Sequence, residues 1–154
     1  MCLKLSKDWK RNRENARSKR KPIKAYKVVN CRIAASVGAQ TSFKASYYSP
    51  MRCYSGTLQY PIGEVVVSNR TTTKIQANEG SVYGIATGIH LMSTLSGAKE
   101  VQDVLNRNYP NENQKILEVY IKPSDVVAVG TFNTQGKHLR SIVVTKCKVV
   151  REVS

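Results

Sequence analysis

Along this chain, apolar residues alternate with polar ones more often than they recur at helical spacing. Ile116-Leu117-Glu118-Val119-Tyr120-Ile121 and Val126-Val127-Ala128-Val129 are short apolar runs separated by Pro123-Ser124-Asp125, which predicts two strands joined by a turn. From Arg140 to Val153, Val143, Cys147 and Val149 oppose Lys146 and Lys148, the period of one long strand or of two. The same β-prone pattern marks Ile23 to Val29 (with Cys31-Arg32-Ile33 extending it), Phe43 to Tyr48, Val65 to Val67, Thr71 to Ile75 and Val82 to Ala86. The stretches Ala34–Ser42 and Gly130–Gly136 read as loops, and Asn78-Glu79-Gly80-Ser81 as a turn.

The helical period is clearest in one place. Ile89 and Leu91 alternate with His90 and Met92 as on a strand, and then Ala98, Val101, Val104 and Leu105 recur three and four residues apart. Ser93, Thr94 and Ser96 are all candidate N-caps, because each offers a side-chain oxygen to the unpaired first amides of a helix. The fold class this predicts is α+β, with a twisted, mainly antiparallel sheet of about five to seven strands and one principal helix near Ser96–Asn106. The expected core is Ile89, Leu91, Val101, Leu105, Leu117, Val119, Val127, Val143 and Val149. Residues 25–154 are expected to form a single α+β domain.

The first 24 residues break the pattern. Their apolar residues are few (Leu3, Leu5, Trp9, Ala16), and Lys4, Lys7, Lys10, Arg11, Arg13, Arg17, Lys19, Arg20, Lys21 and Lys24 stand against only Asp8 and Glu14. Ser6 is placed to cap a helix from Lys7 to about Lys19, which Pro22 would end. Without an apolar stripe to dock it, this segment is expected as a basic N-terminal arm, residues 1–24. Its bland reading is a solubilising tail, and its functional reading is phosphate neutralisation with Trp9 stacking on a base. The charge of the whole chain favours the second. There are 25 Lys and Arg against 10 Asp and Glu, for a net charge of +15, so nucleic acid or an acidic protein is the expected partner. Tyr47, Tyr48, Tyr54 and Tyr60, interleaved with Lys44 and Arg52, fit either nucleic-acid contact or a half-buried sheet.

Several function classes lose ground. No apolar run reaches the length of a membrane span, and no apolar signal segment follows the basic start, so neither membrane insertion nor export is expected. Cys2, Cys31, Cys53 and Cys147 are scattered and His90 lies far from His138, so no metal site is expected and the thiols read as reduced and partly buried. There is no phosphate-binding glycine loop and no nucleophile elbow, so no cofactor is assigned. Glu64, Glu79, Glu100, Glu118 and Asp125 are the carboxylates best placed to face a cleft. On the strand, His90 falls opposite the core pair Ile89 and Leu91. With Ser93, Ser96 and a helix start, it forms a candidate ligand pocket for a nucleotide-type anion, provided that Ala34–Ser42 covers that face. The alternative is a structural histidine.

Two resemblances add expectations. Tyr26-Lys27-Val28-Val29, Tyr60-x-x-Gly63-x-x-Val66 and Gly88-Ile89-His90-Leu91 followed by Ala98, with the closing segment Ile116 to Val153, resemble uncharacterised phage and bacterial domains sometimes attached to pentapeptide repeats. That implies a phage or prophage origin and a place in the host cytoplasm or the virion. Separately, Gly88-Ile89-His90-Leu91-x-Ser93-x-x-Ser96-x-Ala98 resembles the nicotinamide-pocket segment of ADP-ribosyltransferases. This likeness implies that His90 matches the pocket tyrosine and Ser96 the first serine, with Glu118 or Glu152 as the catalytic glutamate. Ala98 stands where the second serine would be, and no His-Gly pair follows the first strand. The leading reading is a non-enzymatic accessory protein that binds nucleic acid or an acidic host or virion component. The alternatives are an ADP-ribosyltransferase-like enzyme, a nucleotide-binding host-defence inhibitor and a virion structural component.

Overall fold

A computed structural model describes residues 3–35, 43–49, 58–68, 76–78, 82–85 and 88–153. Its elements run β1 (Leu3–Leu5), α1 (Trp9–Arg17), β2 (Ile23–Ala35), β3 (Phe43–Tyr48), β4 (Val65–Val67), β5 (Gln76–Asn78), β6 (Val82–Ile85), β7 (Ile89–Met92), α2 (Leu95–Asn108), β8 (Gln114–Ile121), a 3-10 turn (Pro123–Asp125), β9 (Val126–Thr134), β10 (Lys137–Val144) and β11 (Lys146–Glu152). One sheet contains all eleven strands in the order β4-β11-β8-β2-β7-β10-β9-β1-β6-β5, with β3 paired to the far end of β2. Every pairing is antiparallel. The α+β class and the antiparallel sheet are therefore as the pattern predicts, but there are more strands than predicted. The strands that the pattern does not predict, β1 and β5, have only three residues each, too few for a period to register.

β8 is central. It pairs with β2 from Ile23↔Ile121 to Asn30↔Gln114 and with β11 on its other side. Both of its faces are covered along most of its length, which is why it reads as a nearly continuous apolar run. One face carries Leu117, Val119 and Ile121 into the main core with Ala25, Val29, Ile89, Leu91, Ile142, Val144, Cys147 and Val149. The opposite face carries Ile116 into a second cluster with Val28, Met92 and the buried stripe Ala98, Val101, Leu105 of α2. Ile89 and Leu91 are buried on the first face as expected, and Met92 packs under α2 on the second. Of the expected core, only Val127 is half-buried, at the margin of a small cluster of Leu5, Ala128 and Val143.

The N-terminal segment differs from the expected arm. Leu3–Leu5 is a strand laid between β9 and β6, with Leu3↔Ile85, Leu5↔Tyr83 and Lys4↔Thr131 in register. A second helix, α1, follows and packs along β9 and the 3-10 turn. Ala16 enters the main core, Leu5 and Trp9 join the Ala128–Val143 cluster, and the Arg17 side chain donates to the Val126 carbonyl at 2.9 Å. Trp9 and Ala16, at the two ends of the helix, thus dock it beside Leu5 of β1 although it lacks a continuous apolar stripe. Asp8, not Ser6, occupies the N-cap position, and its side chain makes no capping bond.

Two local differences have simple causes. Gly130 to Thr134 belongs to β9, and the connection to β10 is the two-residue turn Gln135-Gly136, both with positive φ (45° and 76°) as a tight hairpin requires. The stretch from Arg140 onward is two strands: β10 pairs with β7 and β9, whereas β11 pairs with β4 and β8. Among the described residues no helix is long and apolar enough to cross a membrane. The predicted strand Thr71 to Ile75, most of the loop Ala34–Ser42, Glu79, Arg52, Tyr54, Cys2 and Cys53 lie outside the described residues or at side chains not described.

Candidate nucleic-acid interface

Three regions share the outer face of the sheet. α2 covers Val28, Ile116 and Met92. Trp9 sits on the cluster of Leu5, Ala128 and Val143. The third region, at the C-terminal end of β8, is open to solvent. Directly paired residues on neighbouring strands point to the same side. The pairings Val65↔Lys148, Lys148↔Tyr120 and Lys24↔Tyr120 therefore place Val65, Lys148, Tyr120 and Lys24 in one row across β4, β11, β8 and β2. One pleat along, Val67↔Lys146 continues the same face, and on the other side Arg151↔Glu118 borders it. Val65, Val67 and Tyr120 are 60%, 54% and 40% exposed and are three of the five large apolar side chains left open among the described residues. Lys146 and Lys148 are exposed and have no ion-pair partner among the described residues.

Glu118 divides this open region from the part under α2. It is buried, yet both carboxylate oxygens are engaged: Arg151 Nε donates to Oε2 at 2.9 Å, and Lys24 Nζ lies 3.4 Å from Oε1. The Arg151 hydrogen bond chiefly holds the carboxyl below the usual glutamate range, with Lys24 assisting, against the opposing effect of burial. The result is a fixed anion at the edge of the patch that orients two cations beside Tyr120. Lys19, Arg20 and Lys21, all exposed, run from α1 into β2 one residue before Ile23 and Lys24, with Pro22 between.

Sequence-predicted residues separate into distinct places. Lys24 lies on the open face with Lys148 and Arg151, which were not singled out because their register is a tertiary property. Lys4 instead lies on the main-core face, flanking Thr131 with Arg140 through the pairings Lys4↔Thr131 and Thr131↔Arg140. In α1, Arg11 meets Asp8 at 3.4 Å, and Arg13 and Arg17 meet Glu14 at 3.4 and 4.0 Å, so part of the charge there is spent internally. Lys7 and Lys10 are exposed. Trp9 is already engaged: its ring packs in the Leu5 cluster, and Lys10 and Arg13 sit 5.7 and 5.0 Å from its centroid.

The His90 corner is built as follows. His90 is half-buried on the outer face, between Met92 of the α2 cluster and its register partner Val143, and its carbonyl accepts from Lys27 Nζ at 3.0 Å. The helix begins one residue before Ser96: Thr94 is the N-cap, and its hydroxyl accepts from the Gly97 amide at 3.1 Å. Ser96 is therefore in the first turn and exposed, 3.3 Å from the Thr94 hydroxyl. Ser93 is half-buried. Of the two glutamates implied by the transferase likeness, Glu118 is held by Arg151 and Lys24. Glu152 accepts from the Tyr47 hydroxyl at 2.7 Å and meets Lys115 at 3.5 Å on the opposite face. Burial, with Glu152 adding to it, pushes Tyr47 up to about 12.

Comparison with protein families, with curated proteins and with solved structures finds no match to this chain.

Proposed function

We propose that the protein binds nucleic acid as a polyanion through the open outer face of its sheet, with Lys24, Lys146, Lys148 and Arg151 contacting phosphates and Lys19, Arg20 and Lys21 extending the track. The observation that carries this reading is the exposed row Lys148-Tyr120-Lys24 on three adjacent strands, where neither helix covers the sheet. Adjacent strands are about 4.8 Å apart, so the two lysines stand about 10 Å from each other with the tyrosine between them. The net charge of +15 supplies the long-range attraction, and the local row supplies a place for it to act. The protein acts here as a binding module and not as an enzyme. A phage-encoded accessory role, in the host cytoplasm or the virion, fits this activity.

The test is fluorescence anisotropy with labelled oligonucleotides over about 50 to 200 mM salt. Affinity is expected to fall steeply, because bound phosphates release their counterions. The double variant K146Q/K148Q is expected to lower the slope of log K against log salt by about 1.4 for a single strand, from about 0.7 per lost contact. A wild-type slope near zero, or a slope that the double variant leaves unchanged, overturns the assignment to this face.

A further inference from the structure

The geometry points to single-stranded nucleic acid as the ligand of this face, held by a base stacked on Tyr120; the inference rests on the polyanion reading above and narrows it. Charge alone does not distinguish a duplex from a single strand, since both present phosphates. An exposed aromatic ring between two cations does, because only an unpaired base offers a face to stack on. Tyr120 is the aromatic residue at the centre of the row, with Lys148 on one side and Lys24 on the other. Among the described residues no cation sits over its ring, unlike the rings of Trp9, Tyr48 and Tyr60.

The platform is also rigid. Its strand carries Leu117, Val119 and Ile121 into the core on the reverse side, each fully buried, so the backbone under Tyr120 is fixed before any ligand arrives. Glu118 holds Arg151 and Lys24 in place next to it. Preorganised groups lose less entropy on binding. Beyond Lys148, Val65 and Val67 extend an apolar strip that suits a sugar or a second base. Lys146 and Lys148, two residues apart on one strand, are separated by about 7 Å. That is of the order of the step between successive phosphates on an extended single strand.

The experiment compares mixed-sequence single strands of about 12 nucleotides, as DNA and as RNA, with the corresponding duplex and with polyglutamate. Tyr120→Ala is expected to weaken single-strand binding about tenfold or more, while Tyr120→Phe retains it. Neither variant should change duplex affinity by more than about twofold or alter the salt slope. A thermal melt of each variant checks that the fold is intact. If Tyr120→Ala leaves single strands unaffected, or weakens single strand and duplex equally, the stacking inference is overturned while the polyanion reading stands. If the wild type binds none of the nucleic acids, both are overturned. Polyglutamate binding with the same affinity and the same dependence on Tyr120 overturns the nucleic-acid inference in favour of an acidic protein.

Discussion

Replacing Glu118 by glutamine removes the one buried anion of the open face and keeps its shape. The side chain is 5% exposed, whereas Arg151 and Lys24 are 66% and 51% exposed. When the carboxylate loses its charge, both cations can turn to water, and the amide oxygen still accepts one hydrogen bond. A charge-assisted bond is worth roughly 1.5–3 kcal/mol, and exposure of the cations reduces this, so Glu118→Gln should cost about 1–2 kcal/mol. With a typical urea m value, the midpoint should fall by about 0.5–1 M. The reverse perturbation, Lys24→Met with Arg151→Met, strands a carboxylate in a nearly dry site and should cost more than Glu118→Gln. Acid supplies the control. The native Glu118 carboxyl titrates below its ordinary value of 4.5, so its stabilisation is complete above that pH and is lost as pH falls through the native value. Urea melts at neutral pH and at successively lower pH should show the gap between wild type and Glu118→Gln closing on acidification. A Glu118→Gln cost equal to or above that of the double variant, or a gap that widens in acid, refutes this account of the triad.

Three further outcomes follow from the fold. Removing residues 1–17 should destabilise the protein by about 3 kcal/mol or more in a chemical melt, because Leu5, Ala16 and part of Trp9 are structural; unchanged stability would mean that the segment is a detachable arm after all. Thr94→Ala should cost about 1 kcal/mol through loss of the bond to the Gly97 amide, read as a lower melting midpoint, while Ser96→Ala should cost much less. Stability should also decline in alkali. Cys147, pushed up to about 11 by burial, and Tyr47, at about 12, keep their protons longer when folded than when unfolded. Their contribution is therefore present below the ordinary values of 9 and 10 and is lost as pH rises through the native ones; Tyr47→Phe should flatten the upper part of that decline in a pH series of melts.

What the sequence determines by itself here is local and periodic. The short apolar run of Ile116 to Ile121, the helical recurrence of Ala98, Val101 and Leu105, and the opposition of Ile89 and Leu91 to Met92 each reflect how side chains leave a regular backbone. They were legible because each element is long enough, or apolar enough, to show its period. Three-residue strands such as Leu3–Leu5 carry no such signal; their conformation is settled by partners about eighty and one hundred and thirty residues away. The same holds for the docking of α1, where Ala16, Leu5 and Trp9 find burial only because β9 is there to receive them. The charge of the chain raised the expectation of a polyanion partner but carried no position for one. Lys24 lies more than a hundred residues from Lys148 in the chain, with Tyr120 between them, and antiparallel register alone brings the three side by side. Register is a relation between strands, and the burial of Leu117, Val119 and Val149 on the opposite face decides it, since a slip of one residue would turn that core out into water.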